Sequence, residues 1–190
     1  MRCVGVDPDL HTLSVAELNE DGSLKGVHVV KATGLKGLPA AVAIIRELQK
    51  KAFMLKTTGT TAGDFVLAVE GQDVGYTGRT NMANPQDLIP LAAVAGGVVA
   101  TLRAHRTYLI KPSQWKGSVP KKIHQRRILS KLGIEYRMMG GNSPYPVPVD
   151  FERFVLSGKA NAGDWKDIND SVGLAVYARN RYKKEEKGGR

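Results

Sequence analysis

The chain has 190 residues, 42% of them hydrophobic, and 28 Lys and Arg against 18 Asp and Glu give a formal net charge of +10. That length fits one domain with a sizeable core, and a single cysteine, Cys3, excludes an internal disulfide or a cysteine-rich zinc site. With no run of about 18 apolar residues and no signal-peptide pattern, the expectation is a soluble, cytoplasmic protein with no membrane partner.

Cys3–Val6 is an apolar strand that enters a turn at Asp7-Pro8-Asp9. Leu13–Leu18 reads as a second strand, the Asp-Gly pair in Asn19–Ser23 as a hairpin turn, and Val27–Lys31 as a third strand. Leu38–Leu55 carries Val42, Ile45, Leu48, Ala52 and Leu55 at helical spacing. Phe65–Val69 is a continuous apolar run that predicts a fully buried strand ending on Glu70. After a Gly-, Asp- and Thr-rich loop, Asn84-Pro85 is a helix start for Leu88–Leu102, in which Pro90 is expected to kink the first turns. Thr107–Ile110 is a short strand before Lys111-Pro112-Ser113. Lys121–Leu132 is helical and closed by Gly133. Residues 140–164 read as irregular, with a short helix near Phe151–Leu156. A last helix runs from about Asp167 to Tyr182, leaving 183–190 as a frayed charged tail beyond a single domain spanning 1–182. A meander followed by βαβ crossovers predicts an α/β fold, with a mixed five-stranded sheet and helices on both faces.

Asp7 and Glu70 each close a strand, and parallel neighbours would place both carboxylates at one sheet end. Asp167 and Asp170 are three apart and share a helix face. Each has a simpler reading: Asp7 before Pro8 as a turn former, the two helical aspartates as complements to the helix dipole. Glu70 is harder to dismiss, because a lone carboxylate at a buried strand end is costly. Four carboxylates without bases repel one another, and such oxygen-rich clusters suit Mg²⁺ or Mn²⁺, whose pairing drives in-line phosphoryl displacement.

Val4-Gly5-Val6-Asp7-Pro8, Leu67-Ala68-Val69-Glu70 and Asp167-Ile168-Asn169-Asp170 resemble the three acidic motifs of the RuvC family of Holliday junction resolvases, which has the RNase H-like fold. The likeness extends to the Leu88–Leu102 helix and to Lys111-Pro112-Ser113 before a lysine-bearing helix. Ser113-Gln114-Trp115-Lys116-Gly117 and Pro120-Lys121 look more like the phage-encoded members. The resemblance implies that Asp7, Glu70, Asp167 and Asp170 bind two metal ions. One would activate water, the other would stabilise the leaving 3′ oxygen, and 5′-phosphate nicks would result. It also implies that Lys121 lies near the scissile phosphate; by itself Lys121 equally reads as a solvated helix-start lysine. Asp9 stands where the family has glycine, which suggests left-handed geometry there and an extra carboxylate of open role. The loop after Glu70 lacks the family's phenylalanine, and Tyr76 is the nearest aromatic that could stack on an unpaired junction base.

The first hundred residues carry nine basic and ten acidic residues, whereas the remainder carries nineteen and eight, a net +11. Lys111, Lys116, Lys121, Lys122, Arg126 and Arg127 form a dense basic district suited to phosphate contacts, although a solvated helix face would look the same. His124 lies among them and reads as a surface histidine. The Leu88–Leu102 helix is apolar nearly all round, with Gly96-Gly97 midway. A buried core helix explains this, while the resemblance implies a homodimer interface, and a four-way junction needs two symmetric cuts. The leading expectation is a junction-resolving endonuclease. The alternatives are a broader RNase H-like nuclease on branched DNA or RNA, and a non-catalytic basic nucleic-acid-binding protein. The opening Val-Gly-Val-Asp also suits a sugar kinase or actin-type ATPase, but those need two such domains and a phosphate-gripping Gly-Thr loop.

Overall fold

The computed structural model describes residues 1–57, 64–71, 85–142 and 144–188. β1 (Arg2–Asp7), β2 (Thr12–Leu18) and β3 (Leu24–Lys31) form the meander. α1 (Gly37–Thr57) leads to β4 (Phe65–Glu70), and α2 (Pro85–Leu102) leads to β5 (Arg106–Ile110). β1 pairs β2 antiparallel and β4 parallel, while β4 pairs β5 parallel. The order β5-β4-β1-β2-β3 is therefore the expected mixed sheet, to which β8 (Val155–Ser157) adds a sixth strand parallel to β3. Between these lie α3 (Pro112–Lys116), α4 (Lys121–Lys131), the separate hairpin of β6 (Tyr136–Met139) and β7 (Tyr145–Pro148), and a 3-10 turn at Phe151–Phe154. α5 (Trp165–Gly188) completes the described chain.

Strand alternation sorts the core into two layers. Cys3, Ala16, Val27, Val29, Val66 and Ala68 face α5 and α4, whereas Val4, Val6, Leu13, Val15, Leu67 and Val69 face α1 and α2. The α5 layer is tightest at Gly5. A Cβ there would lie 2.1 Å from the Ser171 carbonyl oxygen and 2.3 Å from the Ala175 nitrogen, so backbone meets backbone and only glycine fits.

Several expectations need correction. The irregular stretch contains the β6–β7 hairpin and β8, and β8 docks because Gly26 leaves room for Leu156 while the Ser157 hydroxyl lies 2.8 Å from His28 Nδ1. The buried His28 in turn meets the buried Glu17 at 2.6 Å, a polar chain across three strands. The frayed tail is instead helical through Gly188, where Glu185 accepts from Tyr108 and Arg106 of β5 and from Arg181. Pro90 does not interrupt α2, which starts at Pro85; Asn84, its expected N-cap, lies outside the described residues. The buried stripe of α1 is Ala40, Ala41, Ile44 and Leu48, with Val42 exposed. Within Gly96-Gly97 the close approach belongs to Gly97, whose Cβ would strike Ile45 of α1, while Gly96 faces open space. Asp9 is not left-handed; its carboxylate accepts from the His11 N–H at 2.7 Å, which closes the turn with ordinary geometry. Among the described residues, no helix is long and apolar enough to cross a membrane.

Replacing Gly5 by valine drives a branched side chain into the α5 backbone. The expected loss is at least about 3 kcal/mol of stability, read as a fall in the denaturant midpoint with little change in the far-UV signal of the surviving fold. A midpoint equal to the parent's would contradict the β1–α5 contact.

Candidate active site

The parallel register aligns Val6 with Val69, so Asp7 and Glu70 leave β1 and β4 at the same carboxyl end. Carboxyl ends of parallel strands are where open α/β sheets place their chemistry. α5 crosses this end because its backbone seats on Gly5, and Asp167 and Asp170 occupy its first turns. The Ser14 hydroxyl of β2 donates to the Asp167 carbonyl at 3.5 Å, tying the helix start to the sheet. Burial first, then the nearby Glu70 and Asp170 carboxylates, push the Asp7 pKa well above the ordinary carboxylate range, against the opposing pull of Lys116 and Lys121. Asp7, Glu70 and Asp170 therefore belong to one electrostatic unit, which Asp167 joins through Lys121.

Two lysines enter that unit from the short helices after β5. Lys116 Nζ lies 3.3 Å from Glu70 Oε2 and 3.0 Å from Asp170 Oδ2. Lys121 Nζ, on the first turn of α4, reaches Asp167 Oδ1 at 3.2 Å and Asp170 Oδ2 at 3.0 Å. Burial works against the Lys121 ammonium, but Asp170, Asp167 and Asp7 outweigh it and raise its pKa. Lys116, read from sequence as a surface phosphate contact, thus sits within the carboxylate cluster.

The remaining basic candidates lie elsewhere. Lys111, Lys122, Arg126 and Arg127 are exposed, the last three on the outer side of α4, and Arg126 reaches the Tyr136 hydroxyl at 3.4 Å. Tyr76 lies outside the described residues. His124 is half-buried and packs edge-on against Trp115 with ring centroids 5.0 Å apart; burial lowers its pKa.

Three polar partners escaped the sequence reading. Trp115 Nε1 donates to Glu70 Oε2 at 2.8 Å. The buried Gln125 donates through Nε2 to Asp170 Oδ1 at 2.9 Å and to the Lys166 carbonyl at 2.6 Å. Asn169 Nδ2 donates to the Pro146 carbonyl at 2.7 Å, fastening the β6–β7 hairpin beside the aspartates. Gln125 was findable, because it lies four residues after Lys121 and shares its helix face. Trp115 offered no periodic signal on a five-residue helix.

The donor set is all oxygen and hard, which suits Mg²⁺ or Mn²⁺, and a divalent cation would relieve the carboxylate repulsion that adds to burial in raising the Asp7 pKa. Asp7, Glu70, Asp167 and Asp170 fit such an ion chemically. Among the described residues, however, no three acidic, histidine or cysteine side chains already stand in a ligating arrangement, since the lysine ammoniums lie between them.

No protein-family model matches the chain, and no curated protein sequence matches it. Among solved structures it is similar to Thermus thermophilus RuvC in complex with Holliday junction substrate, at 15% identity over 95% of this chain and 96% of that one, with a TM-score of 0.58. Thermus thermophilus RuvC is also similar at 17% identity with the same coverage and a TM-score of 0.51. The fold is accordingly RNase H-like, an α/β architecture shared with RuvC across nearly the whole of both chains.

A carboxyl group whose pKa is raised on folding costs stability once it ionises. The unfolded chain releases that proton first, so stability falls as pH rises from the ordinary carboxylate range through the raised folded value. Asp7→Asn should therefore raise the thermal midpoint at neutral pH in the absence of divalent ions, and the gap should close below about pH 4, where both states of Asp7 are protonated. A lower midpoint for the variant at neutral pH would refute the strain assigned to Asp7.

Proposed function

We propose that this chain is a metal-dependent, structure-selective endonuclease that resolves four-way DNA junctions in the cytoplasm. In this reading the Ser113–Gly117 and Pro120-Lys121 stretches, which resemble those of phage-encoded RuvC-like enzymes, favour the phage type. The observation that carries the reading is the meeting of Asp7, Glu70, Asp167 and Asp170 at one sheet end, bordered by the basic helices α3 and α4. Asp7, Glu70, Asp167 and Asp170 would hold the ions. When bound, a pair of divalent ions supplies charge neutralisation for in-line attack of water on a phosphodiester.

The chain's own residues do the rest. Gln125 holds Asp170 through one oxygen and leaves the other facing the cluster. Lys121, half-exposed at the rim, is placed to meet a phosphate that approaches the carboxylates. Exposed Lys111, Lys122, Arg126 and Arg127 extend the positive surface outward, so binding should be governed by backbone phosphates and fall steeply with salt.

A homodimer through α2 would present two such centres to one junction. In support, Ile89 of α2 and Leu109 of β5 are each 63% exposed. Leu88, Ala92, Gly96, Val99 and Leu109 line an apolar groove of about 590 Å³. Gly96 has open space where its Cβ would stand, which permits a partner backbone to come close.

With a labelled four-way junction and a linear duplex of the same arms, Mg²⁺ or Mn²⁺ should support paired symmetric nicks on the junction alone, and EDTA should abolish them. Asp7→Asn and Glu70→Gln should each lose at least about a hundredfold in cleavage rate while still shifting the junction in a gel. Cutting of flaps or RNA hybrids at equal rates would favour the broader nuclease, and tight binding without nicking under Mn²⁺ would favour a non-catalytic binder. For assembly, light scattering at micromolar concentration should give twice the 20.6 kDa chain mass, with Gly96→Glu returning it to one copy. A parent that scatters as a single chain would remove the dimer from the reading.

A further inference from the structure

α3 is held in place by Trp115. Pro112 opens this short helix, the Gln114 side chain accepts the Lys111 N–H at 2.9 Å, and the Trp115 indole is buried against α5 and α4. A Cβ on Gly173 would lie 2.4 Å from the indole and 2.7 Å from Ile128 Cδ1, so α5 carries a glycine where the ring seats. The next residue, Lys116, inherits this confinement. Its side chain is 18% exposed and its ammonium lies 4.5 Å from the Trp115 ring centroid, a cation–π contact. Lys121 differs, with a side chain 47% exposed at the rim of the cluster.

The polar contacts of Trp115 and Lys116 converge on the same oxygens. Glu70 Oε2 receives both Trp115 Nε1 and Lys116 Nζ. Asp170 Oδ2 receives Lys116 and Lys121, while its other oxygen is engaged by Gln125. A hard cation entering between Glu70 and Asp170 meets an ammonium already there.

We propose that Lys116 is an intramolecular counter-cation that competes with divalent ions for Glu70 and Asp170, and that Trp115 holds it in position, so that this pair sets the concentration at which the site loads. The inference rests on the metal-dependent reading above and adds to it a built-in threshold. The physical basis is simple: two cations cannot share adjacent carboxylate oxygens without repulsion, and a confined ammonium withdraws less readily than a rim lysine. Lys116 acts here as a positioning residue through the carboxylates.

The test titrates Mn²⁺ calorimetrically into the full-length chain without nucleic acid. Lys116→Gln, which removes the charge and keeps a hydrogen-bonding side chain, should bind Mn²⁺ at least about tenfold more tightly than the parent. Lys116→Met should do the same, and it serves if the glutamine variant fails to fold by circular dichroism. Lys116→Arg, which keeps the charge, should stay near the parent affinity. In parallel, Mg²⁺ should change the tryptophan emission of the parent as the Glu70 bond to the indole is remade. Trp115→Phe should lose that change. Equal or weaker Mn²⁺ affinity in the folded neutral variants overturns the competition, and leaves the nuclease reading intact if the parent still cuts junctions. No Mn²⁺ binding by parent or variants overturns both.

Discussion

Everything at the acidic end of the sheet is referred to the distance between β1 and α5. That distance is a glycine distance: at Gly5 the helix backbone approaches until Ser171 and Ala175 occupy the space of a side chain. Ser171 directly follows Asp170, and Gly5 stands two residues before Asp7. The contact that builds the α5 layer thus also fixes how far the helical aspartates stand from the strand carboxylates. Packing and placement are one constraint, which makes the geometry of the cluster as rigid as the core beneath it.

Rigidity has an electrostatic cost. Burial and carboxylates that cannot move apart both raise proton affinity, and at Asp7 the two effects combine. The chain answers with two ammonium groups delivered by α3 and α4, both from its basic second half. The net charge is therefore not spread evenly as a solvated coat. Part of it is turned inward, where Lys116 and Lys121 offset buried anions, and another part lies on exposed Lys111, Lys122, Arg126 and Arg127 as a field around the site.

Much of this was legible in the sequence, for identifiable reasons. A five-residue apolar run ending on Glu70 has few structural meanings, and Asp167 and Asp170 at helical spacing state their own shared face. The meander and crossovers follow from strand order alone. Less legible were features set by contacts between distant segments. Val155–Ser157 is too short to carry a periodic signal, and it becomes a strand only because Gly26 makes room for Leu156 and His28 meets Ser157. Residues 183–188 have a tail's composition, yet Glu185 finds Arg106 and Tyr108 on β5 and the helix continues. Composition likewise assigns Lys116 to a basic surface. Its direction depends on the burial of Trp115, which sequence spacing does not reveal.

The two faces of the sheet end up with different demands. On the α5 side Glu70 and Asp170 are held by Trp115, Lys116, Lys121 and Gln125, so the layer tolerates little change. On the α1 and α2 side the contacts are apolar, and Leu38, Val42, Ile89 and Leu109 remain exposed. Apolar surface left uncovered beside a packed core is costly in water and is where association gains most. The proposed pairing of two copies through α2 would bury the part of that surface around Leu109 and the α2 groove, and the Gly5 contact on the opposite face would stay undisturbed. Assembly and site geometry then draw on separate layers of one sheet, so either can change without dismantling the other.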